Sequence, residues 1–250
     1  MRRFFITLSF NGKNYCGWQI QPNVMSLQQK LQESLSTILR QEVKIVGAGR
    51  TDAGVHARNM IAHFDWSKED LNTEGLTLRL NNFLPKDIAI HSIKEVVPNV
   101  HARFSAISRT YSYRITLHKD PYLHEYKHRL FFTPDIELMN RLCTILLETD
   151  DFTSFSRLHT DAKTNLCDIK QARWDRTADG EYLFTIQADR FLRNMVRSIV
   201  GTLLLAGKGR LDEKGLREII AAKDRRVAGE SAPGHALFLE KVEYPEGIWV

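Results

Sequence analysis

The sequence predicts an α+β protein built from two halves, each running β-α-β-β-α-β, the element order of a ferredoxin-like unit. Two observations carry that expectation. Short apolar runs of period two alternate with longer stretches of period 3.6, and the series is passed through twice without any residue-level repeat. With 250 residues and 43% apolar side chains there is material for a substantial core. No low-complexity linker parts the halves, so the expected division is 1–103 and 104–250, sharing a largely antiparallel sheet.

In the first half, Phe4, Ile6, Leu8 and Phe10 alternate with Phe5, Thr7 and Ser9, the period of a half-buried strand. A polar loop follows from Asn11 to Asn23. Ser26-Leu27-Gln28-Gln29 reads as a capping box, opening a helix with Leu27, Leu31, Leu35, Ile38 and Leu39 on one face. Strands are expected at Val43 to Val46, Met60 to Trp66 and Ile88 to Val96, with a helix from Glu69 to Phe83 that stops before Leu84-Pro85.

The second half opens with a strand from Ser105 to Leu117, placing Tyr111, Tyr113, Ile115 and Leu117 on one face. A helix over Asp135 to Glu148 follows. Strands at Asp168 to Arg176 and Tyr182 to Ala188 are joined by a tight turn through Ala178-Asp179-Gly180. A helix is expected after Asp189, a shorter one near Asp212 to Ala222, and a closing strand from Ala236 to Tyr244. At 100° per residue, Arg190, Arg193 and Arg197 fall within about 60° of one another on the first of these helices. Leu192, Met195, Val196, Ile199 and Leu203 take its opposite side, and Gly201 leaves room on the polar stripe. Such arginines form a solvated face, or line a groove for phosphates and reach a carboxylate.

The formal net charge is +5, and between Ile186 and Arg226 ten lysines and arginines stand against five acids. Basic charge therefore gathers late in the chain, as a backbone-phosphate footprint or as a solvated helix face. Cys16, Cys143 and Cys167 form no C-x-x-C, which argues against a disulfide framework and a structural zinc site. Met1-Arg2-Arg3-Phe4 enters a strand directly, without a signal-type apolar region, and no apolar run reaches bilayer length. A soluble cytoplasmic protein with no membrane association is expected.

Chemistry concentrates in Gly47-Ala48-Gly49-Arg50-Thr51-Asp52-Ala53-Gly54-Val55-His56-Ala57, a glycine-rich loop between two strands with one carboxylate at its centre. Its composition fits a reactive loop and equally a turn in which Asp52 caps a backbone N–H. No Walker loop, dinucleotide fingerprint, metal-binding helix or Ser-His-Asp arrangement accompanies it. The histidines are scattered, and His56 and His63 suit structural or surface roles better than catalysis. By its place in the loop, His56 is kept as a candidate substrate contact. An ionised aspartate can act as a nucleophile or stabilise cationic character at a sugar carbon. Aromatic rings and guanidinium planes stack on bases at roughly 1–3 kcal/mol each, the scale needed to hold a base out of a stem.

The order and spacing of several segments make a specific pattern. They are Tyr15-Cys16-Gly17-Trp18-Gln19-Ile20-Gln21-Pro22-Asn23, the Asp52 loop, Asn81-Asn82-Phe83-Leu84-Pro85, His101-Ala102-Arg103-Phe104-Ser105-Ala106 and Arg109-Thr110-Tyr111-Ser112-Tyr113. Phe191-Leu192 with Met195-Val196-Arg197, and Ala232-Pro233 with Leu237-Phe238-Leu239, complete it. Almost end to end, the chain resembles the tRNA pseudouridine synthases of the A type, the TruA family. The resemblance implies conversion of uridine to pseudouridine at positions 38, 39 and 40 in the anticodon stem-loop of tRNA, with no organic cofactor and no required metal. It implies the pseudouridine synthase fold, two ferredoxin-like halves around a central cleft, and a homodimer in which one tRNA touches both subunits. Carried over by position, Asp52 is the catalytic aspartate, Tyr111 packs on the flipped uracil, Arg197 pairs with Asp52, and Arg50 holds the base out of the stem. Arg190 and Arg193 are the candidate phosphate contacts. Whether Asp52 attacks C1′ or takes a proton from C2′ is left open by residue type.

Two segments depart from the family pattern: Gly234-His235-Ala236 lacks a glycine nearer Leu237, and Lys163-Thr164-Asn165-Leu166-Cys167-Asp168 lacks an arginine after its Lys-Thr pair. A non-catalytic RNA-binding module on a doubled ferredoxin-like scaffold would need the basic face and aromatics but no particular residue at position 52. The Arg50-Thr51-Asp52 core counts against it. A relative that modifies other tRNA positions is the third reading, and the lack of zinc ligands disfavours its zinc-dependent branch.

Overall fold

The computed structural model describes residues 1–68, 71–157 and 164–250. The chain divides into two compact units, Met1–Ile107 with Phe238–Val250, and Ser108–Leu237. The first contains β1 (Arg2–Phe10), α1 (Leu27–Leu39), β2 (Val46–Gly47), β3 (His56–Trp66), α2 (Thr73–Phe83) and β4 (Ile88–Val96). The second contains β5 (Ser108–Thr116), β6 (His128–Arg129), α3 (Ile136–Leu147), β7 (Ile169–Arg176), β8 (Tyr182–Ala188), α4 (Met195–Gly207) and α5 (Glu213–Ala222), after which β9 (Leu237–Glu243) follows. Most pairings are antiparallel, and the α+β class expected from the sequence holds.

In the first unit β1 is central, antiparallel to both β3 and β4, with Ile6 opposite Ala62 on one side and Ile93 on the other. Phe4, Phe5, Ile6 and Leu8 are buried, and Phe4 stacks on Phe64 with ring centroids 5.6 Å apart. Leu27, Leu31 and Leu35 of α1 and Leu76 and Leu80 of α2 are buried as well. Helix α1 starts where its cap predicts: the Ser26 hydroxyl accepts the Gln29 N–H at 3.2 Å. The Gln29 amide, however, donates to Glu33 at 2.9 Å.

The second unit repeats the principle with β8 between β5 and β7, Phe184 lying opposite both Tyr113 and Trp174. Trp174 stacks on Phe184 at 4.9 Å. Asp135 and Asp212 cap α3 and α5 through the amides three residues on. The outermost strand of each unit is held by an asparagine from the neighbouring helix. Asn81 of α2 donates to Ile90 O and accepts from Ile90 N (2.8 and 2.7 Å), beside the register shift between β1 and β4. Asn140 of α3 does the same for Trp174 of β7 (2.9 and 2.8 Å). Each side-chain amide thus satisfies a donor and an acceptor that an edge strand leaves exposed.

Four expectations are corrected. Val43 and Ile45 are buried but pair with no strand: their amides donate to Ser36 Oγ and Gln32 Oε1 of α1, and Gln28 donates to Ile45 O. Only Val46 and Gly47 reach β3. Helix α2 begins at Thr73, because Asn72 Oδ1 caps the Gly75 amide at 2.8 Å; the expected start at Glu69 lies outside the described residues. Helix α4 begins at Met195, not after Asp189, because Asn194 takes the left-handed conformation (φ 66°). Arg190 and Arg193 therefore precede the helix and share no helical stripe with Arg197. The room expected at Gly201 is filled by this chain's own backbone, since a Cβ there would stand 1.7 Å from Glu230 O.

The division after Ile107, and the return of Phe238–Val250 to the first unit, also differ from the expected 1–103 and 104–250. The reasons are local. Strand β9 pairs in parallel with β3 (His56 opposite Phe238), Val97 N donates to Ile248 O, and Phe5 meets the rings of Tyr244 and Trp249 edge-on. Among the described residues no helix is long and apolar enough to cross a membrane.

His63 links these contacts to pH. It is buried, its Nδ1 accepts the Ala102 N–H at 3.2 Å, and burial, with Arg3 and His101 adding, lowers its pKa to about 4. The unfolded chain then binds a proton at this site between pH 6.5 and about 4 that the folded chain does not, so stability is full above that window and falls as pH drops through it. His63→Gln is expected to flatten the acid limb of a denaturation series from pH 7 to pH 4. An unchanged slope would assign the loss to other groups.

Candidate active site

The Asp52 loop is fastened to a floor in the first unit that is built from the polar loop after β1. Trp18 is buried, lies 6.2 Å from Phe10 ring to ring, and donates its backbone N–H to Thr51 O at 3.2 Å. Gly17 has φ +83°, and a Cβ there would stand 2.3 Å from Thr51 O. The same two residues give their carbonyls to the first amides of α1, Gly17 O to Leu27 N and Trp18 O to Gln28 N (3.1 and 3.0 Å). One segment thus ties the start of a helix to the backbone just before Asp52.

Within the loop, Val55 N donates to Asp52 O at 3.2 Å, and Gly54 (φ +75°) completes the turn. Thr51 is buried, Asp52 is half-buried and Arg50 is exposed. Gly47 has a different use: its Cβ position lies 2.5 Å from the Trp18 ring. Around Gly49 nothing approaches within 4 Å of a Cβ, leaving open space beside Arg50. His56, the candidate substrate contact, is only 2% exposed, with Nδ1 accepting the Gly12 N–H at 3.1 Å. Its ring stacks on Phe238 at 4.7 Å. That imidazole braces the loop from inside the unit.

In the second unit Tyr111 stands half-buried on β5 opposite Ile186, its ring edge-on to Phe191 at 5.2 Å. Phe191 was not singled out for this from the sequence; the signal was an aromatic at the head of the arginine-rich segment. Arg197 lies in the first turn of α4 and is clamped twice by Ala232: Nε donates to Ala232 O at 2.7 Å, and Ala232 N donates to Arg197 O at 2.9 Å. The loop before α4 is held by Asp189, whose Oδ1 accepts from Asp168 N and Arg190 N, while Arg109 donates to Asp189 O. Arg190 is half-buried there, and Arg193 is exposed. This unit therefore presents an aromatic pair on β5 and the segment before α4, and a fixed guanidinium on α4, while the first presents an aspartate on a braced turn.

The departures noted in the sequence have local structure. Gly234–Ala236 forms a short 3₁₀ turn, and His235 Nε2 lies 3.2 Å from Lys127 O. Lys163 lies outside the described residues, while Thr164 Oγ1 accepts the Leu166 amide. Among the described residues no group of three or more His, Cys, Asp and Glu side chains is placed to hold a metal ion.

A model of the tRNA pseudouridine synthase family matches residues 6–105 and 143–245. The chain is similar to a tRNA pseudouridine synthase A of Parabacteroides distasonis, 57% identical over 249 residues, covering 100% of this chain and 98% of the relative. The protein of that name from Bacteroides thetaiotaomicron is 52% identical, covering 100% of this chain and 93% of the relative. That from Colwellia psychrerythraea is 40% identical, covering 98% and 95%.

The floor of the loop can be tested directly. Gly17→Ala places a methyl against the Thr51 carbonyl in a conformation that L-residues avoid, and should lower the unfolding free energy by about 1–3 kcal/mol in a urea titration. Hydrogen exchange should quicken at the Val55 amide, which closes the Asp52 turn. Wild-type stability and exchange in this variant would show that the Gly17 contact does not hold the loop.

Proposed function

This chain belongs to the tRNA pseudouridine synthase family, and from that premise we propose that it acts on uridines 38, 39 and 40 of the anticodon stem-loop of tRNA. It is an isomerase: the N1–C1′ bond of uridine breaks, the uracil turns, and a C5–C1′ bond forms. The proton lost from C5 is balanced by one gained at N1, so nothing is consumed. We assign Asp52 to the ribosyl carbon, where both attack at C1′ and removal of the C2′ proton need an ionised carboxylate. The observation that carries this reading is that Asp52, the one carboxylate of its loop, sits half-buried on a turn braced by Trp18, Gly17 and His56. A fixed carboxylate keeps its aim without reorganising during the reaction.

The remaining roles follow chemically. Tyr111, with Phe191 at its edge, offers a flat ring for the uracil face, and Arg197 supplies the cation that keeps a carboxylate ionised in a closed site. Arg50 is exposed beside the open space at Gly49 and is suited to hold the base out of the stem. Arg190 and Arg193 serve as phosphate contacts from a loop, and His56 acts through the position of the Asp52 turn. The net charge of +5 accords with a polyanionic partner. The reading includes a cytoplasmic homodimer.

The experiment is to incubate wild-type, Asp52→Asn and Asp52→Ala proteins with unmodified tRNA transcripts and map pseudouridine by position. Both variants should lose modification at 38, 39 and 40 while tRNA affinity stays within about tenfold, or about 1.4 kcal/mol. Modification at near wild-type rate by either variant would remove Asp52 from the mechanism.

A further inference from the structure

Tyr113 follows Tyr111 by two residues on β5, so the two rings rise from the same face of the strand. Tyr113 is 0% exposed, lies opposite Phe184 on β8, and meets the His128 ring edge-on at 6.3 Å. Its hydroxyl is buried with it and finds no hydrogen-bond partner among the described residues. A buried O–H without an acceptor destabilises the fold, and phenylalanine would fill the same space without that cost. A phenol so placed, with no acceptor among the described residues, invites a use outside the packing.

The neighbouring charge points to that use. Burial holds the Tyr113 phenol well above its usual range, while the Arg197 guanidinium, close enough to act on it, pulls the other way. The phenol is therefore protonated, and its oxygen has lone pairs to offer. Arg197 carries only donors, of which Nε is committed to Ala232 O. Catalytic hydrogen bonds are often long in a substrate-free enzyme and tighten when substrate binds. We propose that Tyr113 is a positioning residue for the isomerisation, its phenol oxygen accepting an N–H of Arg197 in the tRNA complex and fixing the guanidinium beneath the stacked uracil. This rests on the assignment of Arg197 to the reaction.

The test uses Tyr113→Phe, which removes one oxygen, measured beside Asp52→Ala on an unmodified anticodon stem-loop substrate. The expected result is a kcat lower by about tenfold or more, with KM and tRNA affinity little changed. The melting temperature should equal or exceed that of the wild type, because a buried unsatisfied group has been removed. A wild-type kcat would overturn the proposal, and so would a fall in kcat accompanied by a lower melting temperature, which would assign the oxygen to packing. If Asp52→Ala is inactive and Tyr113→Phe fully active, only the role of Tyr113 fails. If Asp52→Ala is itself active, the catalytic reading fails first.

Discussion

The site depends on how one peptide is held. Thr51 O accepts the Trp18 amide and sits where a side chain on residue 17 would go. Because the 17–18 segment also feeds its carbonyls to the first amides of α1, the backbone next to Asp52 is referenced to a helix with a buried face. A loop alone would leave the carboxylate to sample many orientations, and each lost orientation would have to be offset on substrate binding. Here that ordering is completed during folding. His56 closes the other end through Gly12 and Phe238.

The second unit fixes its cation by a similar economy of means. Arg197 is gripped by the backbone of Ala232 at both its side chain and its carbonyl, and Gly201, one turn further along α4, lets residues 229–232 lie against the helix. A larger residue at 201 would displace that segment and, with it, the partner of the Arg197 Nε. The glycine is therefore a packing device for the chain itself, and its influence on the guanidinium passes through Ala232.

Both units guard their outer strands with a helix-borne asparagine, Asn81 on Ile90 and Asn140 on Trp174. The device places one donor and one acceptor of the same side chain on one residue of the strand, so the helix is locked to the strand in register as well as in distance. In the first unit it also stabilises the point where the β1–β4 register shifts. The two units thus share a construction rule without sharing residues, as the element order of the sequence suggested.

Much of this protein was determined by its local sequence. The period-two run of β1, the α1 cap at Ser26 and the starts of α3 and α5 near Asp135 and Asp212 were legible because each depends on residues within a few positions of one another. The candidate roles of Asp52, Tyr111 and Arg197 were legible from the family pattern. Tertiary structure alone decided the rest. Val43 and Ile45 look like a strand, yet their amides are claimed by Ser36 and Gln32 across a helix–loop contact. Arg190 and Arg193 fit a helical stripe by period, but Asn194 in the left-handed region and the Asp189 carboxylate hold them in a loop. The orphaned Tyr113 hydroxyl and the floor under Thr51 are likewise invisible to any local pattern. Backbone groups take the best partner that folding brings near, and a one-dimensional reading cannot list partners that are distant along the chain.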